Sequence, residues 1–223
     1  MIGSEARRGR GRPRKEDAPA ADTVLTAALS SFARLGFRDT TLRAIAEEAQ
    51  VDSALIVRRY GSKFDLWRAV VDHVSDRLAA VHHCPEAAGL LVAERLQYTI
   101  ARFVRLSLDM PLLGRFFVDE LGRPGERRNY VVARIWEVYR AGMLPIAQAA
   151  KDADILPDAL APDDYLAMLV GAVAMPLMMR VAPLSGLVAD GDAILAGVTS
   201  LFLPGGVCRA ASFPDIQADR HDR

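Results

Sequence analysis

The chain has 223 residues, 51% of them apolar and 25% charged, with 28 Lys and Arg balanced by 28 Asp and Glu. That apolar share excludes wholesale disorder and supports one large or two modest domains with a sizeable core. The longest apolar run, Leu166 to Met179, contains Pro176 and is shorter than the ~18–20 residues a membrane span needs, so it reads as a buried helix without membrane contact.

The arginines near the N-terminus are followed by no apolar stretch of signal-peptide type, which makes the cytoplasm the expected location. Cys84 and Cys208 lie far apart and match neither a disulfide framework nor a zinc spacing, and no cofactor is expected. The balanced charge conceals an asymmetry. Among the first fifteen residues, Arg7, Arg8, Arg10, Arg12, Arg14 and Lys15 face only Glu5, and residues 1–80 carry a net +3 against −3 for the rest. A polyanionic partner at the N-terminal end follows from that distribution.

Residues 1–19 are rich in Gly, Arg, Pro and Ala without apolar periodicity and read as a disordered basic arm. From there the chain reads as all-α, since no alternating apolar segment is bounded by hairpin turns. Val24, Ala27, Ala28, Ser31, Phe32 and Leu35 mark one face of a helix over about residues 20–35, with Gly36 as its stop. Thr40 or Thr41 caps a short second helix whose inner stripe is Leu42, Ile45, Ala46 and Ala49. Asp52 caps a third, about residues 53–59, that turns Ile56 and Tyr60 inward, and Gly61 ends it. Ser62 caps a fourth helix running from Lys63 through Leu66, Trp67, Val70, Val71 and Val74 to Leu78.

His82, His83, Cys84 and Pro85 break the pattern and mark the expected boundary between a domain at 20–81 and another at 86–203. Adjacent residues rarely face one ion together, so this segment reads as a linker and not a metal site. Beyond it, amphipathic stretches cover about 87–108, 111–121, 126–152 with a kink at Pro145, 163–181 and 191–203. Residues 204–223 read as a flexible tail.

Two short helices joined by a tight turn let the second project its N-terminal end, a shape the major groove of a duplex accepts. The segment is similar to the tetracycline-repressor (TetR/AcrR) family of bacterial transcriptional regulators. The resemblance rests on Ala27-Ala28, Phe32-Ala33, Gly36-Phe37, Thr40-Thr41-Leu42, Ile45-Ala46, Ala49, Val51 to Ile56, Tyr60-Gly61-Ser62-Lys63 and Leu66. It implies an N-terminal three-helix helix-turn-helix domain, a C-terminal helical ligand-binding and dimerisation domain, and double-stranded DNA as partner. On that reading the DNA-binding residues are Thr40, Thr41, Ser53, Ala54, Leu55, Arg58, Arg59 and Lys63, joined by Arg10 and Arg12 of the arm, whose Arg10-Gly11-Arg12-Pro13 resembles a minor-groove hook. The chain departs from the family pattern at three places. Gln50 stands where a glycine is usual, Val57 where an aromatic or His is usual, and Arg59 replaces a phosphate-reaching Tyr.

In the C-terminal half, Phe103, Leu106, Phe116, Phe117, Trp136, Tyr139 and Met143 are the candidates for a pocket taking a small apolar or amphipathic effector. Leu166, Val170, Val173, Leu177, Ile194, Val198 and Leu201 are the expected dimer interface, as two helices per subunit can form a four-helix contact. The expected function is a homodimeric, ligand-released repressor on an inverted-repeat operator, and no motif of an enzyme is present. The alternative is an architectural DNA-binding protein driven by the arginine-rich arm.

Overall fold

The computed structural model describes residues 18–181 and 190–203, so the readings placed on Arg10, Arg12 and the 204–223 tail lie outside the described residues. The described chain is helical, with no strand among the described residues, in agreement with the all-α reading. No described helix is long and apolar enough to cross a membrane. The chain divides into two compact units on either side of the Val70–Val71 bond. This division lies inside a helix and upstream of the His82–Pro85 segment.

The first unit is built from α1 (Ala18–Asp39), α2 (Leu42–Ala49), α3 (Ser53–Tyr60) and the N-terminal part of α4 (Lys63–His82). Gly36 breaks α1 with φ 75°, a backbone region open to glycine, which is the stop its position implied. Val24, Ala28, Phe32, Ile45, Ile56, Leu66 and Trp67 are buried at its centre. Phe37 stacks on Phe32 with centroids 5.9 Å apart, and its ring edge meets Trp67 at 6.5 Å. These aromatics join the two ends of a motif too small to hold itself, since α2 and α3 have eight residues each. Ser31 and Arg34 of α1 both donate to the Glu48 carboxylate, at 2.8 and 2.6 Å, and tie α2 to α1.

The second unit contains the remainder of α4, then α5 (Val92–Asp109), α6 (Leu113–Leu121), α7 (Glu126–Val131), α8 (Glu137–Asp152), α9 (Pro162–Val181) and α10 (Gly191–Phe202). Val71, Val74, Leu78, Leu96, Ile100, Val104, Met143, Leu166 and Leu169 are buried in it. The stretch read as 126–152 carries an irregularity besides Pro145. Helix α8 runs through Pro145, and the distortion is a wide π turn at Val132–Trp136, closed by the Glu137 N–H donating to the Val132 carbonyl. Tyr165 anchors α10 by donating from its hydroxyl to the Phe202 carbonyl at 3.0 Å. Arg140 grips Asp163 with two guanidinium bonds, which join α8 to α9.

Candidate nucleic-acid interface and interior cavity

Three local devices set the attitude of α3. Thr41 caps α2 by accepting from the Ala44 N–H at 3.1 Å, and Asp52 caps α3 by accepting from Ala54 at 2.8 Å. Between them Gln50 adopts φ 56°, ψ 40°, while the Val51 N–H reaches back to the Ala46 carbonyl at 3.0 Å and Gln50 to Glu47 at 3.3 Å. This is a Schellman termination with a non-glycine residue in the left-handed position. At the far end Gly61, at φ 82°, ends α3, and Ser62 with Asp65 starts α4 through reciprocal bonds of 2.6 and 3.1 Å.

Clamped in this way, α3 buries Ile56 and exposes Ser53, Ala54, Val57, Arg58 and Arg59, with Leu55 half-buried. Val57, whose position the sequence pattern marked only as a departure, is 50% exposed. An apolar side chain left in water on a polar face was its signal, legible once Ile56 is assigned to the core.

Two of the expected contact residues are turned to other tasks. Thr40 is fully buried, and its hydroxyl donates toward the Gly36 carbonyl at 2.7 Å and the Ser31 carbonyl at 3.2 Å. The exposed hydroxyl of the pair is therefore that of Thr41. The Lys63 ammonium donates to the Arg38 carbonyl at 3.0 Å and the Thr40 carbonyl at 2.8 Å, and sits 4.7 Å from the Phe37 ring centroid. It closes the carbonyl end of α1 rather than standing free for a phosphate.

Within the second unit lies a cavity of about 250 Å³. Phe103, Phe117, Trp136 and Tyr139 line it, whereas Leu106, Phe116 and Met143, expected beside them, are buried without lining it. The π turn gives it Ile135 and Trp136, and its neighbours α4 and α7 are fastened by Asp72, which accepts from the Tyr130 hydroxyl and from Arg134 Nε at 2.8 Å each. Val170, Val173 and Leu177 of α9 also line it. That changes the reading of the last helices. Leu166, Val173, Leu177, Ile194 and Val198 are buried within the chain itself, and Val170 is only partly accessible. Of the residues expected at a dimer contact only Leu201, 76% exposed, stands outward, while Met168, Met175 and Met179 are the other large exposed apolar side chains among the described residues of α9 and α10.

Among the described residues of this unit, the Tyr139 hydroxyl and both nitrogens of His82 are buried without a partner. Their rings lie 6.0 Å apart. Burial pushes the Tyr139 phenol above its ordinary range. It also pushes the His82 imidazole down from 6.5 to about 4, with the nearby Arg102 guanidinium acting in the same direction. Both groups are neutral at physiological pH.

Residues 24–70 match the family described as bacterial regulatory proteins, tetR family. Over 71 residues the chain is 34% identical to an HTH-type transcriptional repressor of Mycobacterium tuberculosis, a match covering 32% of this chain and 38% of that protein. The chain thus spans well under half the length of the curated relatives it matches. The fold as a whole is similar to that of the fatty acid degradation regulator FadR from Bacillus halodurans, with a TM-score of 0.66 and 18% identity over 86% of this chain and 98% of the other. The transcriptional regulator FadR from Bacillus subtilis, solved in complex with stearoyl-CoA, gives a TM-score of 0.62 and 16% identity over 82% of this chain and 98% of that one.

Proposed function

We propose that this chain, which belongs to the tetR family of bacterial regulatory proteins, is a transcriptional repressor that reads an inverted-repeat operator as a homodimer and leaves it when an effector fills the cavity of its second unit. The observation that carries this reading is the presentation of α3. It is capped at both ends, held by a Schellman turn, and offers Ser53, Ala54, Val57 and Arg58 on one exposed side.

Each group suits a part of a duplex. The first turn of α3 would meet base edges, Val57 a thymine methyl, and Arg58 and Arg59 either guanine or phosphate. Thr41 is the hydroxyl for the backbone beside it. One eight-residue helix contacts few bases, so specificity calls for a second copy about 34 Å away. The exposed methionines of α9 together with Leu201 are the apolar surface on which that copy would sit. An effector preferring the form with spread recognition helices then draws the population away from the operator.

Selection from random duplex DNA by the full-length protein, with sequencing of the retained pool, tests this. An enriched inverted repeat is the expected result. Enrichment of A·T content without a repeat would place binding in the arginine-rich arm and overturn the operator reading.

A further inference from the structure

Resting on the reading of α3 as the helix that meets the operator, we infer that Val57 is a specificity residue which recognises the 5-methyl group of a pyrimidine in the major groove. Each half-site then carries a thymine at that position, uracil is a poor substitute for it, and 5-methylcytosine is preferred there to cytosine. Three observations support this.

The first is position. Ser53, Ala54, Val57 and Arg58 are spaced so that they share one side of the helix, and all four are exposed. Val57 is half exposed while its neighbour Ile56 is almost wholly buried, so the core has taken one apolar side chain and left the other facing outward. Side chains of a helix lean toward its N-terminus, which sets Val57 beside the turn that holds Ser53 and Ala54. Both are short and leave the isopropyl group unshielded on that side.

The second is the chemistry of that side. Helix α3 (Ser53–Tyr60) contains no Asp, Glu, Asn or Gln. The paired hydrogen bonds by which a carboxamide selects adenine, and the acceptor by which a carboxylate selects cytosine, have no source on this helix. Asp52, just before it, accepts from the Ala54 N–H at 2.8 Å as the helix cap. What remains is Arg58 for guanine or phosphate, a Ser53 hydroxyl that suits a donor or an acceptor alike, and apolar contact. The apolar feature a base edge offers in the major groove is the methyl group of thymine, and a methyl group on cytosine C5 occupies the corresponding place.

The third is rigidity. The Val57 carbonyl accepts from the Gly61 N–H at 2.8 Å, which fixes the backbone at this position to the stop of α3. A valine in a helix has one strongly preferred rotamer. A side chain already held in place loses little freedom when a methyl group packs on it, so the contact is retained as a difference in affinity between bases.

The test uses the operator selected from random duplex DNA, resynthesised with single substitutions in one half-site, and the full-length protein, with affinity measured by fluorescence anisotropy at one fixed salt concentration. At one thymine of the half-site, uracil is expected to lower affinity about fourfold, the effect of burying one methyl group. With a C·G pair at that position, methylation of the cytosine at C5 is expected to raise affinity by about the same factor. Val57→Ala is expected to reduce the thymine-over-uracil preference below about twofold while leaving the melting temperature no lower than that of the parent. Uracil tolerated at every position, equal affinity for cytosine and 5-methylcytosine, or a preference in Val57→Ala as large as in the parent overturns the inference and leaves the operator reading standing. A selection that enriches no inverted repeat overturns the operator reading, and the inference falls with it.

Discussion

The imidazole of His82 lies against the backbone of Gly142, so close that a Cβ on that glycine would overlap His82 Cγ and Cδ2. The end of α4 and the middle of α8 meet there, and glycine is present because the ring occupies the space a side chain would need. Gly142→Ala should therefore destabilise the protein by about 1–3 kcal/mol, the usual penalty of overpacking. In His82→Ala the space is open, so adding Gly142→Ala to it should cost much less than in the parent. Urea denaturation of the four proteins gives the coupling, and additive effects would show that the ring is not the obstacle.

The same histidine predicts acid sensitivity. Its folded pKa of about 4 lies below its ordinary 6.5, so between those values the unfolded chain binds the proton and the folded one does not. Stability is complete above pH 6.5 and is lost as pH falls toward 4. With the ring partly accessible, the loss is on the order of 2 kcal/mol. His82→Leu should flatten that part of the stability profile, and an unchanged slope would assign the acid sensitivity elsewhere.

Gln50 occupies the left-handed turn between α2 and α3 with φ 56°. Gln50→Gly removes the Cβ strain at that position and should raise stability by about 0.5–1 kcal/mol, the gain being reduced by the extra freedom of glycine in the unfolded chain. Thermal unfolding checks this, and a lowered midpoint would mean that the glutamine side chain contributes more than its backbone strain removes.

Lys63 and Arg58 should behave differently toward DNA. Lys63→Ala takes away two hydrogen bonds to the end of α1 and should lower stability by about 1–3 kcal/mol, with the salt dependence of DNA binding unchanged. Arg58→Ala should leave stability unchanged and reduce the slope of log affinity against log salt by about one if it meets a phosphate. Paired salt titrations distinguish the two, and a reduced slope for Lys63→Ala would return that ammonium to the phosphate.

How much could be read from the sequence depended on whether the determinant was local. The bounds of α3 follow from Asp52 and Gly61, a cap and a stop within the segment itself, while the left-handed turn at Gln50 was legible only through the family resemblance, in which a glycine is usual at that place. The assignment of α9 was not. Its residues from Leu166 to Met179 are apolar almost all the way round, so nothing in their spacing distinguishes Val173 and Leu177, which face the interior, from Met168 and Met175, which face outward. The π turn at Val132–Trp136 contains neither Gly nor Pro to announce it. The burial of His82 depends on Gly142, sixty residues away in the chain, and local patterning read the same histidine as part of a linker.

The cavity is not equally well defended on all sides. Tyr139, Val173 and Leu177 line it from positions that are almost wholly buried, but Val118 and Met175 also line it while being 51% and 56% exposed, and a Cβ on the lining Gly171 would meet nothing within 4 Å. Side chains at the first three are locked by their neighbours, and changing them disturbs the packing of the unit. At Val118 and Gly171 the position meets open space, so larger or smaller residues are accommodated at little loss of stability, whereas Met175 also belongs to the surface offered to a second copy. Divergence among descendants of this chain can thus retune what the cavity accepts by single steps at its rim while the buried wall within stays fixed.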